Sequence, residues 1–222
     1  MVAHVFSLWP TAILVRHHGD EPLIAGLLER LDKAQPLASR GADRFDREGW
    51  QYNVFDDGTA GLAELRAAIV EAQADYIRRF MPDFREGRDL YMRGWINIYR
   101  PGQNIRAHHH PGIHLTAACY LDDGYGDRVP DGPARLAPGA LLFHDPRGPR
   151  PWFGETAGDP GAGADAPVFA LVPRTGMLVV FPGWLVHETV PHDGPRRRIV
   201  LSCDTLLQGD LRRYGAPIRL GA

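Results

Sequence analysis

The stretch MLVVFPGWLVHETVPHDGPRRRIVLS, Met177–Ser202, sets two apolar runs apart with Pro-Gly and Asp-Gly-Pro punctuation. Residues 176–181 and 198–206 read with a period of two, as strands whose side chains alternate between two faces do. Working outward, the same period recurs at 89–100, 113–121, 139–144 and 167–172, each run bounded by Gly, Pro or Asp. Short strands in succession predict a sandwich or barrel, here a mainly β jelly roll with flanking helices.

Upstream the period becomes helical. After a short apolar strand at Thr11 to Val15, Asp20 can cap a helix carrying Leu23, Ile24, Leu27, Leu28 and Leu31 on one side. A second helix is predicted from Gly61 to Phe80, where Leu62, Leu65, Ile69, Ala72, Tyr76 and Phe80 step by three or four until Met81-Pro82 ends it. We read residues 1–222 as one domain, with a helical part over about 1–88 and a β core over about 89–207. Residues 146–166 show no periodicity and read equally as a lid or a plain insertion.

With 25 basic and 27 acidic residues the formal charge is -2, so no global field draws in nucleic acid or an anionic membrane. The expected partner is a small molecule or a protein side chain; oligomeric state leaves no trace in the sequence. Cys119 and Cys203 lie in apolar runs and are expected as buried thiols. No apolar run reaches the roughly 18 residues of a membrane span, and the expected location is the cytoplasm.

The chemistry centres on RAHHHPGIHL, Arg106–Leu115. On an extended chain His108 and His110 project to one side and His109 to the other, so two imidazoles can share a metal and a third ligand must come from elsewhere. His187 is the candidate, and Arg198 enters the next strand beyond it. An open metal site beside a guanidinium suits a dicarboxylic co-substrate, which chelates the metal through a 2-oxo acid end and offers its other carboxylate to the arginine.

On these residues the chain resembles the 2-oxoglutarate- and Fe(II)-dependent oxygenases of the prolyl-hydroxylase-like superfamily, and more narrowly a bacterial family of such oxygenases. The segments that carry the resemblance include GWINIYRPG, HHHPGIHLTAACYLDD, LLFHDPRG and FPGWLVHETVP with RRRIVLS. The resemblance implies a double-stranded β-helix (cupin-like jelly roll) core, Fe(II) on His108 and His187, and 2-oxoglutarate anchored by Arg198. It further implies O2 as oxidant and C–H hydroxylation coupled to decarboxylation of 2-oxoglutarate. His110 stands where the wider superfamily has Asp or Glu, although the narrower group has His. By the same resemblance Asn97, Tyr99 and, on the next strand, Tyr120 face the co-substrate.

Several alternatives stay open at this level. Arg197 replaces Arg198 as the anchor if the register slips by one residue. Asp145, expected to pair with Arg147, is the alternative source of a carboxylate ligand. His114 reads as a satisfied histidine or a group oriented toward the site, His144 and His192 as solvated strand-end histidines, His4, His17 and His18 as surface, and Trp95 and Trp184 as core. Two rival functions share the fold: a cupin-like three-histidine dioxygenase that does not use 2-oxoglutarate, and a non-catalytic ligand- or metal-sensing module.

Overall fold

The computed structural model describes residues 11–17, 21–33, 53–56, 58–81, 89–128, 130, 132–147, 168–207 and 218–219. The 146–166 stretch, read equally as a lid or a plain insertion, lies almost wholly outside them, as do Asp20, His4 and His18. The elements in chain order are β1 (Leu14–His17), α1 (Glu21–Lys33), α2 (Leu62–Phe80), β2 (Asp89–Tyr99), β3 (Leu115–Asp122), β4 (Leu141–His144), β5 (Val168–Leu171), β6 (Met177–Pro182), β7 (His187–Thr189), β8 (Arg198–Leu206) and β9 (Ile218–Arg219).

The strands form two antiparallel sheets. The larger has the order β1-β6-β3-β8-β2-β9 and the smaller β5-β4-β7. Chain neighbours are separated in the large sheet, where β3 pairs with both β6 and β8 and β8 pairs along the length of β2. This is the crossed connectivity of a jelly roll.

The period-two pattern sorts the large sheet's residues between two cores. Leu90, Met92, Ile96 and Ile98 of β2, Leu115, Ala117, Cys119 and Leu121 of β3, and Ile199, Leu201 and Cys203 of β8 face the helices. There they meet Ile24 and Leu27 of α1 and Leu62, Leu65, Ile69, Ala72, Tyr76 and Ile77 of α2, whose spacing of three and four builds one apolar stripe. The opposite face, with Tyr99, Tyr120, Val179, Phe181 and Val200, packs on Leu141 and Phe143 from the smaller sheet and on Leu185 from the turn between β6 and β7. Both faces being covered, β6 and β8 are buried almost without interruption.

A short 3-10 turn at Val54–Asp56 clasps β2 from the helix side. The Asn53 carboxamide accepts from Gly94 N–H at 2.9 Å and donates to Met92 O at 3.2 Å. A Cβ at Gly94 would sit 2.5 Å from the Phe55 ring, so the turn lies this close only because residue 94 lacks a side chain.

Both cysteines are free and buried. Trp184, expected in the core, is 51% exposed because it stands in the turn after β6 rather than in the strand. No helix among the described residues is long and apolar enough to cross a membrane.

Candidate metal centre

The inner face of the large sheet floors a cavity. Its wall takes alternate residues from each strand: Trp95, Asn97 and Tyr99 of β2, Thr116, Ala118 and Tyr120 of β3, and Arg198, Val200 and Ser202 of β8. His108, His110 and His187 line it as well. Asn97, Tyr99 and Tyr120 thus face the cavity as expected, with Asn97 Nδ2 donating to Ser202 Oγ at 3.0 Å.

The histidines arrive differently from the sequence expectation. His108 and His110 do not lie on a regular strand; only His108 is paired, in an isolated antiparallel bridge to His187. The chain then turns at Pro111-Gly112, with Gly112 at φ 76, where an L side chain would be strained. His110 is held by its own N–H, which donates to Gly183 O at 2.7 Å. The alternation of faces over three residues nevertheless survives: the rings of His108 and His110 lie 5.2 Å apart, and His109 is exposed.

One nitrogen from each of the three rings lies within 4.8 Å of the others, close enough to hold one metal ion. Each Nδ1 already faces an oxygen: His108 toward Arg106 O at 2.8 Å, His187 toward Leu185 O at 2.9 Å, and His110 toward Asp204 Oδ1 at 2.7 Å. An Nδ1 that donates its proton to oxygen leaves Nε2 with a free lone pair, the tautomer a metal requires. Burial pushes the His187 imidazolium pKa down to about 3 and lowers that of His108, which keeps these rings neutral at physiological pH. The donor set therefore fits a first-row metal such as Fe(II) bound on one side only.

Arg198 is buried, 2% exposed, while Arg197 is exposed, which settles the register of β8. Its guanidinium lies 4.7 Å from the Tyr99 ring centre and 5.6 Å from that of Tyr120, and NH1 donates to Gly139 O at 2.6 Å. Nε has no partner, and no acidic residue among the described residues forms an ion pair with Arg198. Burial raises the pKa of both tyrosines, so neither supplies a counter-charge.

Other candidates fall outside the cluster. Asp145 pairs with Arg147 through two contacts of 2.8 and 2.7 Å and is not among the metal-capable groups. His114 is exposed ahead of β3, its Nδ1 accepting from Leu207 N–H at 3.4 Å. His192 is fully buried rather than solvated, its Nε2 2.8 Å from Arg196 O, because the loop before β8 folds back over it. His144 is half-buried against Glu188 at 2.9 Å. Trp95 belongs to the cavity wall rather than the core, its ring stacked on His110 at 6.2 Å.

The residue that sequence reasoning missed is Asp204. It lies on the same face of β8 as Arg198, Val200 and Ser202, three period-two steps beyond the arginine, and that register was the signal available to find it.

Fold and centre together define a metal-binding jelly-roll protein with a buried cation beside the metal site. Residues 93–204 match the family model described as "Putative 2OG-Fe(II) oxygenase", and the chain belongs to this 2-oxoglutarate- and Fe(II)-dependent oxygenase family. The match spans every site residue named above. No curated protein matches significantly.

Among solved structures, a Pseudomonas putida prolyl-4-hydroxylase superposes with a TM-score of 0.56 at 17% identity, over 90% of this chain and 89% of that one. A Trichoplax adhaerens prolyl hydroxylase, solved with a hypoxia inducible factor peptide fragment, gives 0.56 at 10% identity over 88% and 83%. HygX from Streptomyces hygroscopicus, solved with nickel and 2-oxoglutarate, gives 0.51 at 11% identity over 88% and 81%. These likenesses establish the double-stranded β-helix fold.

Proposed function

We propose that the protein hydroxylates a C–H bond of a small molecule or a protein side chain, with Fe(II) on His108, His110 and His187 and the distal carboxylate of 2-oxoglutarate on Arg198. The observation that carries the co-substrate assignment is a buried arginine with which no acidic residue among the described residues pairs. Burying an unpaired charge costs several kcal/mol, whereas a cation–π contact returns about 0.5–2 kcal/mol. Tyr99, Tyr120 and Gly139 O therefore orient the guanidinium without neutralising it, and a carboxylate is the partner that completes it. The rival that dispenses with 2-oxoglutarate gives this cation no purpose.

When bound, iron with 2-oxoglutarate and O2 supplies the oxidising power: 2-oxoglutarate yields carbon dioxide and succinate, which keeps one oxygen atom, and the other becomes the substrate hydroxyl. The chain positions and shields. Three imidazoles leave one side of the metal site open to co-substrate and oxygen. Phe181, with its ring 4.8 Å from that of His187, and Leu141 supply apolar lining to the cavity. Tyr99 and Tyr120 hold the arginine at fixed reach from the imidazoles, which sets the chelating end in one orientation. The free buried cysteines agree with a reducing cytoplasm.

The test is succinate formation. Purified protein with Fe(II), ascorbate, O2 and 2-oxoglutarate should release succinate, slowly without substrate and faster with it, and Arg198→Ala should lose most of this turnover. Iron-loaded protein that forms no succinate across a broad panel of small molecules and peptides would contradict the reading.

A further inference from the structure

A dication on three neutral imidazoles has no negative charge among its protein ligands, and the chain supplies one a single residue away. We propose that Asp204 is the carboxylate of this metal centre, a positioning residue that acts on the metal through the ring of His110. The proposal rests on the three-imidazole centre described above but not on 2-oxoglutarate.

The three rings are not supported alike. His108 and His187 direct Nδ1 at backbone carbonyls, which are neutral acceptors. His110 alone directs it at a carboxylate, at 2.7 Å. Asp204 is in turn fixed by Thr116, which faces it across the β3–β8 ladder and donates Oγ1–H to the same Oδ1 at 3.2 Å. The Trp95 ring stacks on His110. Thr116, Asp204 and Trp95 thus hold the His110 imidazole from three strands, with side chains of Asp204 and His110 only 15% and 13% exposed.

A charged acceptor on Nδ1 does two things that a carbonyl does less well. It pins the tautomer that leaves Nε2 free, and it pushes electron density through the ring toward the metal-facing nitrogen. The dication is compensated from one residue further out. The placement also separates the two ends of the inner face of β8: Arg198 offers positive charge at one end and Asp204 negative charge at the other, with Val200 and Ser202 between them. An anionic co-substrate is thereby steered toward the arginine rather than across the site.

The experiment is anaerobic titration of metal-free, full-length protein with Co(II), followed by calorimetry and the visible Co(II) absorption, with thermal melts of every variant alongside. Asp204→Asn keeps an oxygen acceptor for His110 and Thr116 but removes the charge, and should weaken Co(II) binding about 10- to 100-fold and shift the visible bands. Asp204→Leu, which also removes the acceptor, should lose at least as much.

The discriminating arm is His110→Asp. It removes the ring through which Asp204 acts, so adding Asp204→Asn there should cost much less Co(II) affinity than it does when His110 is present. A merely structural or through-space role would cost the same in both backgrounds. Affinity of Asp204→Asn within about twofold of wild type, outside the range expected for such a partner, or equal losses in both backgrounds, would overturn the proposal. Wild-type protein that takes up no Co(II) would overturn the metal centre itself, whereas metal binding without succinate formation would leave Asp204 standing and remove only the co-substrate reading.

Discussion

His108 and His187 exchange both backbone hydrogen bonds, His108 N–H to His187 O at 3.0 Å and His187 N–H to His108 O at 2.9 Å. Two candidate ligands far apart in the chain are therefore brought together by main chain, and their rings, 4.3 Å between centres, inherit that placement. It follows that His187→Gln, which retains most of the side-chain volume, should leave the fold and far-ultraviolet circular dichroism intact. Iron affinity should fall by more than the roughly 100-fold reached by changing an outer partner. Metal analysis after anaerobic loading and desalting checks this.

Arg198 should trade stability for binding. Arg198→Met replaces a buried cation that has no ion-pair partner among the described residues with an apolar chain of similar length. It gives up the charge-assisted bond to Gly139 O, worth about 1.5–3 kcal/mol, and the contacts with Tyr99 and Tyr120, but relieves a desolvation cost of several kcal/mol. Without 2-oxoglutarate the variant should melt at a higher temperature than wild type, while its affinity for 2-oxoglutarate falls about 10- to 100-fold, the loss of a charge-assisted pair. Differential scanning calorimetry with and without 2-oxoglutarate reads both effects; a lower melting point in its absence would show that the cation is already compensated.

The acid response of the metal-free protein follows from His187. Burial holds its folded-state pKa at about 3, against an ordinary value near 6.5, so the unfolded chain takes up this proton first. Stability should be unaffected by this group above about pH 6.5 and should fall as pH drops toward 3, by about 1.4 kcal/mol per unit for one proton. His108 acts in the same direction. Urea unfolding at pH 7, 6 and 5 should show the decline, and His187→Phe should flatten it.

Gly183 tests whether the turn after β6 sets His110. Its carbonyl accepts the His110 N–H, and a Cβ on Gly183 would lie 2.5 Å from Ile113 O. Gly183→Ala must push the 110–113 turn away, and metal affinity should fall although no ligand is changed. A crystal structure of the variant, or Co(II) titration, would show it.

Much of the fold was legible because the β core obeys a simple period. The runs at 89–100, 113–121, 139–144, 167–172, 176–181 and 198–206 correspond to β2, β3, β4, β5, β6 and β8 within about two residues. β7 was not, since a strand of three residues, His187–Thr189, is too short to display alternation. The geometry around His108 was only half legible. Its sidedness followed from extended backbone, but Pro111 and Gly112 end the extension before a strand forms, and pairing to His187 depends on a partner far along the chain. Asp204 was legible in principle from the register fixed by Arg198, but no local pattern shows that this end of β8 meets the turn carrying His110. His192 shows the converse, a loop histidine whose burial no local pattern encodes.

The central claim is that three imidazoles and a buried guanidinium receive the two ends of one 2-oxo dicarboxylate. Anaerobic addition of 2-oxoglutarate to the Fe(II)-loaded protein measures it most directly. The account predicts a visible charge-transfer absorption that saturates with one 2-oxoglutarate per chain, vanishes in His187→Gln and needs far more 2-oxoglutarate in Arg198→Met. Iron-loaded wild-type protein that develops no such absorption, or an Arg198→Met variant that titrates like wild type, would contradict it.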